Sequence, residues 1–255
     1  MIDLHCHILP DFPVDVSHSL GAEASEEDAL AAAFNACRLA AQQGITHLVA
    51  TPHIYADLNL CEGPLIVESA VRLQERVAAA GLSLQIFPGA EIAFSEELGN
   101  GLLRGAGLAL AGKSYLLIEP PLLTLPLVAG EVFAALRAQG FRPILAHPER
   151  VLEFQQDVSR LEELVRAGLL LQITAAYLVG WNGRRTRRCC EKLLKAGLVS
   201  FVASDAHFGH EFLFALVPAW QRLVRLCGAE VAQRLLRDNP LAVIEGRAVE
   251  PLWEL

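Results

Sequence analysis

Residues 138–150 read AQGFRPILAHPER. A helical stretch ends at Gly140, an apolar run follows, and a histidine, a glutamate and an arginine come directly after it. Glycine beyond a helix supplies the left-handed turn that other residues adopt only at a cost. The same unit recurs as QQGITHLVATPH (42–53), AAGLSLQIFPGAE (79–91), RAGLLLQIT (166–174) and KAGLVSFVASDAH (195–207). The segments before the glycines carry helical spacing: Leu30, Ala33, Phe34 and Cys37; Leu161, Leu164 and Val165; Cys190, Leu193 and Leu194. Ser25 with Asp28 forms a capping box.

The runs after the glycines are short and apolar on both faces, as buried parallel strands are. With IDLH at the start and YLLIE (115–119) in the middle, seven strands alternate with helices. This grammar predicts a single-domain α/β fold over residues 1–255, a distorted seven-stranded (β/α) barrel, with an open doubly wound sheet as the structural alternative. Residues from about 212 to 255 are expected to belong to the same domain, with amphipathic helices at Val217–Leu226 and Val231–Leu236.

Six of the seven strands end in residues able to bind a metal. They are His5 and His7, then His53, Glu91, Glu119, the pair His147 and Glu149 (with Arg150 directly after them), and finally Asp205 and His207. Strand six ends at Thr174 without one. His5 and His7, two apart on a strand, share a face, while Cys6 turns away. In α/β barrels the C-terminal strand ends converge on one mouth, where active sites lie. Taken singly, each residue has an ordinary explanation as a cap or a satisfied polar group. Agreement across six strand ends points to one metal site.

Imidazoles and carboxylates without thiolates suit Mn, Fe or Zn in a catalytic rather than a structural role. Eight or nine ligands exceed the needs of one ion, so two or three ions sharing carboxylates are expected. Clustered ions bind phosphate oxygens, lower the pKa of a shared water and stabilise charge in hydrolytic phosphoryl transfer. Arg150, three residues beyond His147, matches a phosphate that a guanidinium grips bidentately. Its alternative is a salt bridge to Glu149 or Glu153.

The net charge of −8 argues against a broad nucleic-acid-binding surface. No run of the sequence reads as a membrane span or as a secretory signal, which points to a cytoplasmic chain. The six cysteines form no C-x-x-C pair and read as reduced packing residues. No C-x5-R spacing of a thiol phosphatase is present. GNGLLRGAG does not follow a strand as a dinucleotide-binding loop would, and reads as loop.

In this order, H-x-H, TPH, PG-x-E, IE-x-P, HPER and SDAH resemble the PHP superfamily, named for polymerase and histidinol phosphatase domains. MIDLHCHILP, ATPH, PGAE, LIEPP, PILAHPER, QITA and FVASDAH are most similar to the bacterial manganese-dependent protein-tyrosine phosphatases of capsule and exopolysaccharide loci. The resemblance covers Met1 to about residue 210. It implies a three-metal site with His5, His7, His53, Glu91, Glu119, His147, Asp205 and His207 as ligands, and Arg150 as the phosphate-binding arginine. It also implies a homo-oligomer, and as substrate the phosphotyrosine tail of a tyrosine autokinase controlling polysaccharide chain length.

Three departures stand out. The early D-D-G element is replaced by DFPVDVSHS, which makes Asp15 the first choice for the early acidic ligand and Asp11 the second. Ile54 follows His53. No arginine follows SDAH closely, and His210 is a candidate replacement cation or proton donor, alongside His207. GRRTRRCC holds Arg184, Arg185, Arg187 and Arg188, either a guide for an acidic tail or a solvated helix face. Tyr177 and Trp181 either line a rim for an aromatic substrate or pack. The rivals to a phosphotyrosine phosphatase are an enzyme for a small ester such as histidinol phosphate, and a non-catalytic metal-binding module.

Overall fold

The computed structural model describes residues 1–21, 23–55, 63–100, 108–208 and 214–249. His210, Cys61 and most of the GNGLLRGAG stretch lie outside these residues.

Strand β1 (Ile2–His7) opens the chain, and α1 (Pro13–Leu20) and α2 (Glu26–Gln42) follow. Ser25 and Asp28 exchange the reciprocal hydrogen bonds of the predicted capping box at the start of α2. Then come β2 (His47–Ala50), β3 (His53–Ile54), α3 (Gly63–Ala79), β4 (Gln85–Pro88), β5 (Glu91–Ala93), β6 (Tyr115–Glu119) and α4 (Ala129–Ala138). The next elements are β7 (Arg142–Ala146), α5 (Leu152–Gln156), α6 (Ser159–Arg166), β8 (Leu170–Thr174), α7 (Ala175–Val179) and α8 (Arg184–Lys195). Last are β9 (Phe201–Ala203), β10 (Ala206–His207), α9 (Leu216–Cys227), α10 (Ala229–Gln233) and α11 (Asn239–Glu245).

Every strand pair is parallel. One sheet runs β10-β1-β2-β4 and the other β3-β5-β6-β7-β8-β9. The seven predicted strands appear as ten segments because three of them break. β2 stops at Thr51-Pro52, where proline has no N–H for the ladder. β4 stops at Gly89, whose missing Cβ leaves room for Leu110 and Val49; a Cβ there would lie 2.9 Å from each. β9 stops at Ser204-Asp205, where Asp205 takes φ +55°. Each strand resumes two residues later and pairs in the other sheet. The two sheets are thereby stitched into one closed ring, with β1 lying between β2 and β10. This is the predicted barrel, and not the open sheet.

Gly44, Gly81, Gly140, Gly168 and Gly197 all have φ between 68° and 98°, as helix-ending glycines do. One apolar cluster lies between strands and helices and includes Leu48, Ile118, Leu145, Leu171, Leu193 and Leu223. A smaller one draws Ile2, Val49, Leu117, Ile144 and Phe201 from around the ring and adds Val243 and Ile244 from α11. Burying each such side chain is worth roughly 1.5–3 kcal/mol, so the C-terminal helices are held firmly to the barrel. Buried Asn239, at the head of α11, donates to the carbonyl of Ser200 at 2.8 Å. The first predicted C-terminal helix matches α9. The second continues past Leu236 through a π turn into α11, because Leu235, Leu236, Val243 and Ile244 keep one face buried.

Cys6, Cys37, Cys189, Cys190 and Cys227 are free thiols. Among the described residues no helix is long and apolar enough to cross a membrane.

Candidate active site

All nine predicted ligands that the sequence nominates first meet at the C-terminal ends of the strands. His5 and His7 project from β1 with their Nε2 atoms 3.0 Å apart. Glu91, at the start of β5, aims Oε2 between three imidazoles. It lies 3.2 Å from His5 Nε2, 3.3 Å from His7 Nε2 and 3.3 Å from His53 Nε2. Asp205 Oδ1 is 3.4 Å from both His5 Nε2 and His7 Nε2. His147 Nε2 is 2.7 Å from the other Glu91 oxygen.

Asp15 reaches the cluster from α1, with Oδ1 at 2.5 Å from His53 Nδ1 and 3.5 Å from His7 Nδ1. Asp11 does not. It pairs instead with Arg72 at 2.6 Å and accepts a hydrogen bond from Ser69. Of the two acids, Asp15 is the one that lies against the imidazoles. His207 stacks on His7 with ring centres 4.1 Å apart.

The donor atoms fall into three overlapping groups: His5, His7, Glu91 and Asp205; His7, His53 and His207; and His53, Glu91 and Glu119. Within each group the atoms lie within 4.8 Å of one another. Each group fits a divalent ion, and Glu91 belongs to two of them. No well-aligned hydrogen bond reaches the buried Oε2 of Glu91, or Nδ1 of His147. A buried carboxylate oxygen is costly without a partner, and an ion between it and the facing imidazoles would supply one. Cys6 faces away, its Sγ directed at the Val49 carbonyl.

Burial opposes a charge on His5, yet Glu91 and Asp205 outweigh it and raise the His5 pKa to about 9. Asp205 and Asp15 also resist ionisation through burial, and their histidine neighbours more than reverse that, holding both carboxyls low. Burial, with His7 alongside, pushes His207 down to about 4. A ring held neutral keeps a lone pair for an ion. Burial and then the charge of Glu91 push Glu119 up.

Supporting contacts fix these side chains. His5 Nδ1 donates to Gln172 Oε1 at 2.8 Å, which leaves Nε2 pointing into the cluster. Asp3, buried beneath, accepts from the backbone N–H of Ser204 at 2.9 Å and so ties β1 to the turn that carries Asp205. Asp205 and His147 both hold left-handed backbone, φ +55° and +31°, which non-glycine residues adopt at a cost. Gln172, Asp3 and Tyr55, whose ring lies parallel to His53, were not nominated from sequence. Nor was His18, which lines the mouth from α1. A mid-strand glutamine and a mid-helix histidine give no local signal.

Arg150 sits on the turn after His147, its Nη1 3.9 Å from Asp205 Oδ2. Neither rival carboxylate claims it. Glu149 is buried and accepts from the Thr174 N–H at 2.6 Å, and Glu153 pairs with Arg160 at 3.1 Å. The mouth is a cavity of about 550 Å³ lined by Glu119, Arg150, Asp205 and His207, with Tyr55, Tyr177 and Trp181 as aromatic walls. Its contents are a cluster of donors for divalent ions, one guanidinium and a set of flat apolar faces.

The model of the family described as capsular polysaccharide synthesis, CpsB/CapC, matches residues 1–245. Tyrosine-protein phosphatase YwqE of Bacillus subtilis is 35% identical over 207 residues, which are 81% of this chain and 77% of that protein. Tyrosine-protein phosphatase CpsB of Streptococcus pneumoniae is 26% identical over 249 residues, 96% of this chain and 98% of that one. A crystal structure from work on YwqE and CpsB, described as unique metal-dependent tyrosine phosphatases, superposes with a TM-score of 0.87 at 32% identity, covering 98% of this chain and 97% of its own. A phosphotriesterase from Mycobacterium tuberculosis shares the fold alone, with a TM-score of 0.60 at 16% identity over 98% of this chain and 95% of that one. With the family match spanning nearly the whole sequence and the site assembled as its motifs predict, the chain belongs to the CpsB/CapC family of capsular polysaccharide synthesis.

Proposed function

We propose that the chain is a metal-dependent phosphomonoesterase that removes phosphate from protein phosphotyrosine. One observation carries the reading: a buried carboxylate oxygen of Glu91 faces three imidazole nitrogens at 3.2–3.3 Å, one of them on His53, which lines the mouth together with Arg150. The relatives named as tyrosine-protein phosphatases support the substrate class.

His5, His7, Asp15, His53, Glu91, Glu119, His147, Asp205 and His207 would hold the ions, two or three in number, with manganese the expected metal and iron or zinc compatible with the same donors. When bound, such ions supply Lewis acidity and an acidified water for attack on phosphorus. Arg150 binds the phosphate oxygens and orients the ester. Tyr55, Tyr177 and Trp181 flank the aryl ring. The departing phenolate corresponds to a phenol of pKa ~10, so it leaves without strong acid assistance. That fits a mouth in which His207 is neutral. Asp3, Gln172 and the Ser204 turn hold β1 and Asp205 in place.

The expected setting is cytoplasmic, the expected partner the phosphotyrosine tail of a tyrosine autokinase, and the expected assembly a homo-oligomer. One domain is taken to span residues 1–255. The test is hydrolysis of p-nitrophenyl phosphate by EDTA-stripped protein, with and without Mn(II), followed by phosphotyrosine peptides against histidinol phosphate. Activity that returns with metal and favours the peptides supports the reading. Absence of activity with Mn(II), Fe(II) and Zn(II) overturns it.

A further inference from the structure

The first turns of α8 are electrostatically wrong for a helix that serves only to pack. Arg184, Arg185, Arg187 and Arg188 occupy four of its first five positions, and no acid lies in its first turn. Cations at a helix N-terminus oppose the helix dipole, and like charges three or four residues apart repel. Only Arg187 is compensated. Its Nε is 3.6 Å from Glu191, a carboxylate also held by Arg222 at 2.5 Å. Arg184, Arg185 and Arg188 are exposed and make no ion pair among the described residues. The chain carries 29 acidic residues against 21 lysines and arginines, yet among the described residues none pairs with Arg184, Arg185 or Arg188. Local rules broken without internal compensation mark places where an external group supplies it.

The position of α8 identifies that group. The helix leaves the C-terminal end of β8 through α7 and returns to the start of β9, so its N-terminus lies at the mouth and its C-terminus at the far end. It packs against the 148–150 turn that carries Arg150. Trp181, three residues before Arg184, is 46% exposed and lines the mouth together with Tyr177. A chain whose phosphorylated side chain enters the mouth must lie across this rim.

We propose that Arg184, Arg185 and Arg188 form a docking strip for an acidic peptide segment flanking the reacting residue, so that the enzyme selects phosphotyrosine among carboxylates or further phosphates. The inference rests on the phosphotyrosine reading above and adds the charge of the flanking chain. Binding is electrostatic and exposed, and so it weakens with ionic strength.

The test compares kcat/KM for two phosphotyrosine peptides, one with glutamates on both sides and one with glutamines, using metal-loaded protein. The unaltered protein is expected to favour the acidic peptide by roughly tenfold at low salt, with the preference fading at high salt. Joint replacement Arg184→Glu, Arg185→Glu and Arg188→Glu should abolish or invert that ratio. The milder Arg→Gln triple variant should bring it near one. A doubly phosphorylated peptide separates phosphate from carboxylate as the favoured flank. A ratio near one in the unaltered protein, or one unmoved by the replacements, overturns the strip while leaving the phosphatase reading intact. Should neither peptide be hydrolysed, the phosphatase reading fails instead. Anisotropy of a labelled polyglutamate peptide, bound by the unaltered protein and not by the variants, still decides the strip; equal binding by both overturns it.

Discussion

Gln172 holds His5 from across the barrel: its side-chain oxygen accepts the Nδ1 proton at 2.8 Å, with both residues buried. The bond selects the tautomer whose Nε2 lone pair faces Glu91 and Asp205. Gln172→Leu removes the acceptor and frees the ring, and metal affinity should fall by roughly 10–100-fold. Gln172→Glu keeps an acceptor at the same place and should retain affinity. Titration of Mn(II) by electron paramagnetic resonance reads both. Equal affinity in all three proteins would sink the idea that this bond matters.

Protons and metal compete for His5. In the metal-free cluster its pKa is raised to about 9, so at pH 7 the ring carries a proton that an incoming ion must displace. The sign follows: affinity rises as pH rises towards 9, and binding releases protons to buffer. Calorimetry in two buffers of different ionisation enthalpy should give different apparent heats. Identical heats together with a flat pH profile would contradict the assignment.

Arg150 is expected to act on substrate and not on metal. Arg150→Ala should lower kcat/KM for phosphotyrosine peptides by roughly 10²–10³-fold while metal content stays full, since one preorganised charge is lost from the transition state. Arg150→Lys should recover only part of it, because an ammonium lacks the two-pronged grip. Loss of bound metal in either variant would reassign Arg150 to holding the cluster together.

The two early acids should separate cleanly. Asp15 is buried against His7 and His53, so Asp15→Asn should weaken metal binding. Asp11 sits on the surface with a half-exposed Arg72, and exposed pairs are worth at most ~1 kcal/mol. Asp11→Asn should leave metal content unchanged and shift the melting temperature by a few degrees or less. Metal content and thermal unfolding measured side by side decide between them.

The barrel was legible because its helix-ending glycines and two-faced apolar strands repeat along the chain. The clustered imidazoles and carboxylates were legible because most of them sit where those strands stop. Three things were hidden. ITHLVATPH reads as one strand ending at His53, whereas Pro52 splits it, and the continuity of the apolar run conceals the split. Gln172 lies inside LLQIT, where its role depends on a residue that the sequence places far away at position 5. Asp15 enters from a helix, so the grammar of strand ends hides it; only the likeness to the family's early acidic element put it ahead of Asp11, and in the structure it lies buried against two imidazoles.

The break in β9 has a consequence for the order of events in folding. β10 is the only described strand that flanks β1 on one side, and it sets His7 level with His207. The first strand of the chain thus waits for one of the last before its second edge is covered. Such long-range closure is slow, and a chain emerging in sequence cannot complete the cluster until residue 207 is free to pair. The early histidines therefore offer only a partial claw to passing ions during synthesis. Full occupancy becomes a record of ring closure, which makes metal uptake a natural clock for the last step of folding.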